Sequence, residues 1–216
     1  TAVKPTQDGS LPAAYTPLTS EPGQAARWED AKLYAYNPDR PREETFVVDT
    51  PPPTVSGSLH IGHVFSYTQT DILVRYQRML GKNIFYPMGW DDNGLPTARR
   101  VQNLYGVRCD PALPYDPDFK AEHVKEGSKG DLKAYKNISR RNFLELCAVQ
   151  TVVDEAKYEA LWRRLGISVD WKQQYNTVGE YCRKTSQRSF LDLHSKGYVC
   201  SAETPTLWDT TYRTAV

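Results

Sequence analysis

Two histidines that lie three residues apart are the clearest candidates for chemistry in the sequence. His60 and His63 flank Gly62 at the predicted start of a helix, and residues at this spacing lie on the same side of a helix. A helix N-terminus binds anions through its unpaired amides and positive dipole, and imidazoles there can donate hydrogen bonds to phosphoryl oxygens. Gly62 lets a phosphate or a ring approach the backbone. The pattern favours a phosphate site, and two surface or packing histidines are the alternative.

The elements that must position these histidines are a strand, a turn and a helix. The short, β-branched segment Phe46–Thr50 predicts a buried strand, which the following prolines end because they lack an amide hydrogen. Residues 54–57 predict a turn, and Ser58 is a candidate N-cap for a helix that starts near Leu59 and ends at Gly81. Apolar residues recur along one face of this helix, at Ile61, Val64, Phe65, Ile72, Tyr76 and Met79.

A second candidate group follows the next predicted strand. Asn83–Pro87 predicts a short strand and Gly89–Gly94 a turn, so that two strands joined by a helix form a βαβ unit. Ligands in such sheets bind beyond the carboxyl ends of the strands. Asp91 is therefore expected near the histidine helix, where its carboxylate could hold an ammonium group. The alternative is a turn aspartate that caps its own backbone.

Three stretches of the chain carry a resemblance to a known family. The segments Pro51–His63, Gly89–Pro96 and Arg164–Trp171 resemble class I aminoacyl-tRNA synthetases, with His60-Ile-Gly-His63 as the HIGH motif. The lead-in Pro-Pro-Pro-Thr-Val-Ser-Gly is similar to valyl-tRNA synthetases. The likeness extends from about residue 11 to the end. It implies an α/β fold with a Rossmann-like parallel sheet, in which the HIGH motif forms the strand-turn-helix.

The resemblance also implies an activity and its site residues. The implied ligase activates valine with ATP to valyl-adenylate and transfers the valyl group to tRNA(Val), with Mg²⁺ bound alongside the ATP. The implied residues are His60 and His63 for catalysis, the same two with Gly62 for ATP, and Pro52, Thr54, Trp90 and Asp91 for the amino acid. Asp91 would pair with the ammonium of valine. Trp90 could instead belong to the core.

Several parts of such enzymes have no counterpart in the sequence. A Lys-Met-Ser-Lys-Ser loop, an editing domain and an anticodon-binding domain are not recognisable, so we interpret residues 21–216 as the N-terminal half of a catalytic domain, after an extended tail at 1–20. The missing C-terminal half is then a partner. Relatives commonly have a glutamate at the position of Ala98, and its absence could weaken substrate positioning in this copy of the domain. A binding-only fragment for ATP or valine, or a small HxxH nucleotidylyltransferase, are the alternatives.

Composition narrows the class of protein. The 216 residues are 39% hydrophobic with a mean hydropathy of −0.62, which predicts a soluble domain without a membrane partner. A net charge of +1 gives no argument for a nucleic-acid partner. The four cysteines lack close metal-ligand spacing, so we expect reduced thiols in a cytoplasmic protein, with paired disulfides as the minor alternative. Some valyl relatives have a Cys-x-x-Cys after the tryptophan, and the resemblance therefore implies no zinc here, where Asp209 and Tyr212 occupy those positions.

Periodicity predicts the remaining elements more coarsely. The predicted helices are Gln24–Ala35, Thr97–Tyr105, Ser139–Leu165 and a last one, capped by Thr177, that ends near Ser195. Arg99 and Arg100 are expected on an exposed helix face rather than on a phosphate. Short strands at Tyr198–Cys200 and Thr206–Trp208 predict a hairpin. The segment 107–136 has no period, and its lysines favour a solvated loop over contact with tRNA.

Overall fold

The computed structural model describes residues 14–56, 59–124, 135–210 and 214–215. Its helices are α1 (Pro17–Asp30), α2 (Ile61–Met79), α3 (Leu95–Tyr105), α4 (Arg140–Leu165) and α5 (Glu180–Ser195). Its strands are β1 (Thr45–Val47), β2 (Asn83–Phe85), β3 (Gly89–Trp90), β4 (Val107–Cys109), β5 (Lys136–Ile138), β6 (Tyr175–Asn176), β7 (Trp208–Asp209) and β8 (Thr214–Ala215). The predicted Ser58 cap, residues 1–13 of the predicted tail and the lysines within 125–134 lie outside the described residues.

Two compact units make up the chain. The first comprises the described parts of Thr1–Pro53, Ser58–Trp90 and Glu155–Tyr175. The second comprises the described parts of Thr54–Gly57, Asp91–Asp154 and Asn176–Val216.

In the first unit, the strands that precede and follow α2 in the chain, β1 and β2, pair in parallel. Phe46 lies opposite Ile84, and the amide of Val48 donates to the carbonyl of Phe85 at 2.9 Å. The predicted pair of parallel strands is therefore confirmed. The first strand is shorter than the predicted Phe46–Thr50 and is not fully buried, since Val47 is exposed. The ladder ends just before the prolines, which cannot donate to it.

The α2 helix exposes the predicted apolar stripe and buries Tyr67, Asp71 and Val74. Its exposed apolar side chains are Ile61, Phe65, Ile72, Leu73, Tyr76 and Met79. Asp71, in contrast, is buried, where its carboxylate accepts hydrogen bonds from the amide and the hydroxyl of Ser168 at 2.7 and 2.5 Å. Arg75 pairs with the same carboxylate at 2.7 Å. A hydrogen-bonded network, as well as apolar packing, therefore sets which face of α2 is buried.

The α1 helix overturns two predictions. It starts at Pro17, so residues 17–20 are helical rather than an extended tail, and it ends at Asp30 rather than Ala35. Proline fits the first turn of a helix because that turn needs no amide donor. Lys32 takes a positive φ of 50°, which stops the helix before the predicted end.

In the second unit, α3, β4, β5 and the start of α4 surround a small apolar cluster. Val101, Val107, Ile138 and Phe143 form its buried centre, and Ala98 packs against it. The strands β4 and β5 are parallel, with Arg108 opposite Asn137. A side chain larger than alanine at position 98 would therefore have to be accommodated beside this cluster.

Arg100 corrects the prediction of an exposed arginine face. Its guanidinium lies within 2.5 and 3.0 Å of the two carboxylate oxygens of Asp154, which is buried. Arg99 is half-buried and approaches Asp209 at 4.0 Å. Both arginines of α3 are thus directed at carboxylates.

The C-terminal part of the chain confirms two helices and corrects a hairpin. The α4 helix matches the predicted Ser139–Leu165 to within one residue. The α5 helix ends at Ser195 as predicted, but its N-cap is Gly179 rather than Thr177. Residues 198–200 are not a strand, since the amide of Tyr198 donates to Leu193 at the end of α5. The antiparallel pair here is β7 with β8.

The described residues include neither a membrane-spanning helix nor a cluster of His, Cys, Asp or Glu side chains that could bind a metal ion. None of these helices is both long and apolar enough to cross a bilayer. The described residues also contain no group of three or more His, Cys, Asp or Glu side chains arranged to hold a metal ion.

Candidate active site

The first candidate group lies at the start of α2, where both predicted histidines cap the helix. His60 is the N-cap, and its Nδ1 accepts a hydrogen bond from the amide of Gly62 at 3.1 Å. Nδ1 of His63 accepts one from the amide of His60 at 3.3 Å. Two otherwise unpaired amides are therefore satisfied by imidazoles, where serine or threonine usually serves. The N-cap of α2 is thus His60, and the predicted cap, Ser58, lies outside the described residues.

These hydrogen bonds determine which nitrogen of each ring carries the proton. An Nδ1 that accepts an N–H cannot be protonated, so the proton of each neutral ring lies on Nε2. The ring centroids of His60 and His63 lie 4.0 Å apart. Burial lowers the pKa of His63, and the neighbouring His60 lowers it further. His63 is therefore neutral at pH 7, with Nε2–H as a hydrogen-bond donor.

Gly62 leaves room for the imidazole of the N-cap residue, His60. A Cβ at this position would lie 2.9 Å from Cε1 and 3.0 Å from Nδ1 of His60. Such distances are shorter than van der Waals contact, so any side chain would push the imidazole off the helix. The predicted approach of a phosphate or a ring of a ligand to the backbone at Gly62 stays a prediction.

The second candidate group is centred on Asp91, just after β3. Asp91 and Thr54 form a parallel β-bridge, in which the amide of Val55 donates to the carbonyl of Asp91 at 2.8 Å. The hydroxyl of Thr54 donates to Oδ2 of Asp91 at 3.2 Å. The predicted turn Gly89–Gly94 thus begins as a short strand. Oδ1 of Asp91 accepts the amide of Asn93 at 3.3 Å, which is the local cap that the sequence offered as an alternative.

One residue of this cluster was missed by the sequence. Thr177 lies 86 positions beyond Asp91 in the chain, yet its hydroxyl donates to Oδ1 of Asp91 at 3.3 Å. The same hydroxyl accepts the amide of Asp92 at 3.1 Å. The sequence assigned Thr177 to a helix cap, because a threonine before a helical pattern carries that signal and nothing local indicates a contact so far along the chain.

Trp90 and Pro52 are the two remaining residues predicted to border the amino acid. Trp90 is only 2% exposed, its indole N–H donates to Oε1 of Gln174 at 3.0 Å, and its ring meets Tyr158 edge-on. This environment favours the core alternative for Trp90. Pro52 is partly exposed. The structure therefore brings together His60 with His63, and Thr54 with Asp91. The expected approach of Asp91 to the histidine helix stays a prediction.

Comparison with known proteins identifies the family. Residues 24–112 and 120–216 match the tRNA synthetases of class I (I, L, M and V). The chain belongs to this family. The helices and the short parallel strands are thus parts of a class I synthetase α/β fold.

Several valine–tRNA ligases are similar to this chain in sequence. The enzyme of Thermobifida fusca is 59% identical over 189 residues, and that of Leifsonia xyli subsp. xyli is 57% identical over 198. Each alignment covers 88% of this chain but only 21% and 23% of the relative. This chain therefore spans about a fifth of the length of these relatives.

A solved structure supports the fold alone. The LeuRS in the ternary complex LeuRS–tRNA–LeuAMS of Agrobacterium radiobacter K84 is 24% identical, with a TM-score of 0.69. The superposition covers 94% of this chain and 21% of the LeuRS chain.

Proposed function

We propose that this chain is the N-terminal part of the catalytic domain of a valine–tRNA ligase, and that it carries binding groups for ATP and for valine. In the complete enzyme, the valyl group would pass from the adenylate to tRNA(Val). The observation that carries this proposal is the pair of histidines at the start of α2, whose Nδ1 atoms hold the helix while their Nε2–H groups stay available to a ligand. The identity to valine–tRNA ligases supports the choice of amino acid.

The proposed role of the histidines is to stabilise charge on the ATP phosphates. When the carboxylate of valine attacks the α-phosphate, negative charge grows on the phosphoryl oxygens as pyrophosphate leaves. Two Nε2–H donors and the N-terminus of α2 would stabilise that charge, and neutral imidazoles need no proton release to do so. Mg²⁺ would be bound mainly by the triphosphate, whose charge it neutralises.

The proposed role of Asp91 is to hold the ammonium of valine. Its carboxylate is fixed by Thr54 on one oxygen and by Asn93 and Thr177 on the other. Pro52 and Thr54 would border the amino acid, and Trp90 would support the site from the core. The free cysteines of the described residues agree with a cytoplasmic location, which belongs to this proposal.

Valine-dependent exchange of labelled pyrophosphate into ATP tests the proposal. The variants are His60→Asn with His63→Asn, and His60→Ala with His63→Ala. Asparagine keeps a side-chain acceptor near Nδ1 and is a favoured N-cap, but it lacks Nε2–H. We expect both double variants to lose exchange, and the asparagine pair to keep the helix content of the wild type.

Other outcomes separate the alternatives. Exchange retained by the asparagine pair and lost by the alanine pair would mean that the histidines only cap the helix. A folded wild type without exchange, which still binds ATP or valine, would be a binding-only fragment. Exchange that does not need valine would favour a nucleotidylyltransferase.

A further inference from the structure

The hydroxyl group of Thr177 is placed to orient the carboxylate of Asp91. It lies between β6 and α5, where Gly179 caps the helix and leaves the Thr177 side chain free of that task. A Cβ on Gly179 would clash with Oδ1 of Asn176 and lie 3.1 Å from the carbonyl oxygen of Asn176, so the tight turn that presents Thr177 favours glycine here.

The hydrogen bonds of the Thr177 hydroxyl have a defined direction. A hydroxyl has one proton to donate and two lone pairs to accept with. The backbone N–H of Asp92 donates to one of these lone pairs at 3.1 Å, because an N–H group can only donate. A carboxylate oxygen can only accept, so the proton of Thr177 points to Oδ1 of Asp91 at 3.3 Å. The Asp92 amide thus helps to aim the hydroxyl proton.

Counting acceptor positions shows which carboxylate oxygen of Asp91 can accept a further hydrogen bond. Each carboxylate oxygen has about two acceptor positions. Oδ1 uses its two for Asn93 and Thr177, whereas Oδ2 accepts only from Thr54 among the described residues. We infer that Thr177 is a positioning residue for the amino-acid ammonium: with Thr54 it fixes the Asp91 carboxylate so that the remaining acceptor position of Oδ2 receives the ammonium. This inference rests on the proposed function.

Binding measurements on the 216-residue chain test this role. Valine, valinol and ATP are titrated by NMR into the wild type, Thr177→Val, Thr177→Ser and Asp91→Asn. Valine and valinol carry the ammonium, and ATP does not. We expect Thr177→Val to weaken both ammonium ligands about tenfold or more, since a hydrogen bond to a charged group is lost. Its affinity for ATP should change less than about twofold, and Thr177→Ser should bind all three ligands like the wild type.

Each contrary outcome has a distinct meaning. Unchanged valine affinity in Thr177→Val, or an equal loss for ATP and valine, would overturn the positioning role. If the wild type does not bind valine, or Asp91→Asn binds it equally well, the assignment of Asp91 fails, and this inference fails with it. If circular dichroism shows Thr177→Val to be unfolded, Thr177→Cys replaces it. A thiol is a weaker donor, so the same selective loss is expected there.

Discussion

At the scale of single residues, the two histidines join helix formation to the proposed chemistry. Nδ1 of each ring accepts a hydrogen bond from a backbone amide at the start of α2, and the proposed function assigns Nε2–H to the ligand. The cap exists only while the rings are neutral, because a protonated Nδ1 cannot accept a hydrogen bond. Gly62 completes the arrangement by leaving room for the His60 ring. Both imidazoles are thereby oriented before any ligand arrives.

This arrangement predicts a pH-dependent stability. The pKa of His63 is lowered by burial and by His60, so the unfolded chain binds this proton more readily than the folded chain does. The stabilisation from His63 is complete above its unfolded pKa of about 6.5 and is lost as the pH falls from there through the lowered pKa. Urea unfolding should therefore show a smaller free energy of unfolding at about pH 5.5 than at about pH 7.5.

The matched control is His63→Asn, which keeps an acceptor but has no proton to gain. Its loss of stability over the same pH interval should be smaller than that of the wild type. Equal slopes in the two proteins would contradict the capping role of His63.

At the scale of elements, α2 shows that apolar periodicity does not always mark the buried face. The stripe through Ile61, Phe65 and Met79 is exposed, and the opposite side carries Asp71 and Val74 into the interior. The carboxylate of Asp71 is satisfied there by Ser168 and Arg75. A buried carboxylate is tolerated only with such partners, so these contacts fix the rotation of the helix about its axis.

Neighbouring positions of α2 should consequently differ sharply in their cost of substitution. Val74 is 0% exposed, so Val74→Ala should lower the free energy of unfolding by about 2 kcal/mol through lost burial and the cavity left behind. Leu73 is 63% exposed, and Leu73→Ala should change it by less than about 0.5 kcal/mol. Chemical denaturation of both variants measures the difference. The reverse order would mean that the apolar stripe is the buried face.

At the scale of the whole molecule, the chain holds two compact units, each with parallel strands. The histidine cap belongs to the first unit, and the Asp91 cluster belongs to the second. The four cysteines are free, lie in the second unit and differ in solvent exposure. Burial raises the pKa of the Cys147 thiol to about 11 and also raises that of Cys109, whereas Cys200 is exposed.

Thiol labelling should therefore report whether the 216-residue chain is folded. With an aromatic disulfide reagent at about pH 8, Cys200 should react fastest and Cys147 most slowly, because the thiolate is the reactive form. The Cys200→Ser variant should lose the fast phase, and urea should make the remaining thiols react. Four fast thiols in the absence of urea would show that the second unit is not folded.

The sequence by itself determined the family, the βαβ order around α2, the long α4 helix and the residue types of the site. Those features depend on local patterns: proline after a strand, glycine after a helix, and histidines at helical spacing. Only the tertiary structure decided that α2 buries Asp71, that Arg100 pairs with Asp154, and that Thr177 reaches Asp91. Each of these is a hydrogen bond or an ion pair whose partner is chosen by three-dimensional proximity. Several side chains could satisfy the same donor or acceptor, and packing selects one of them.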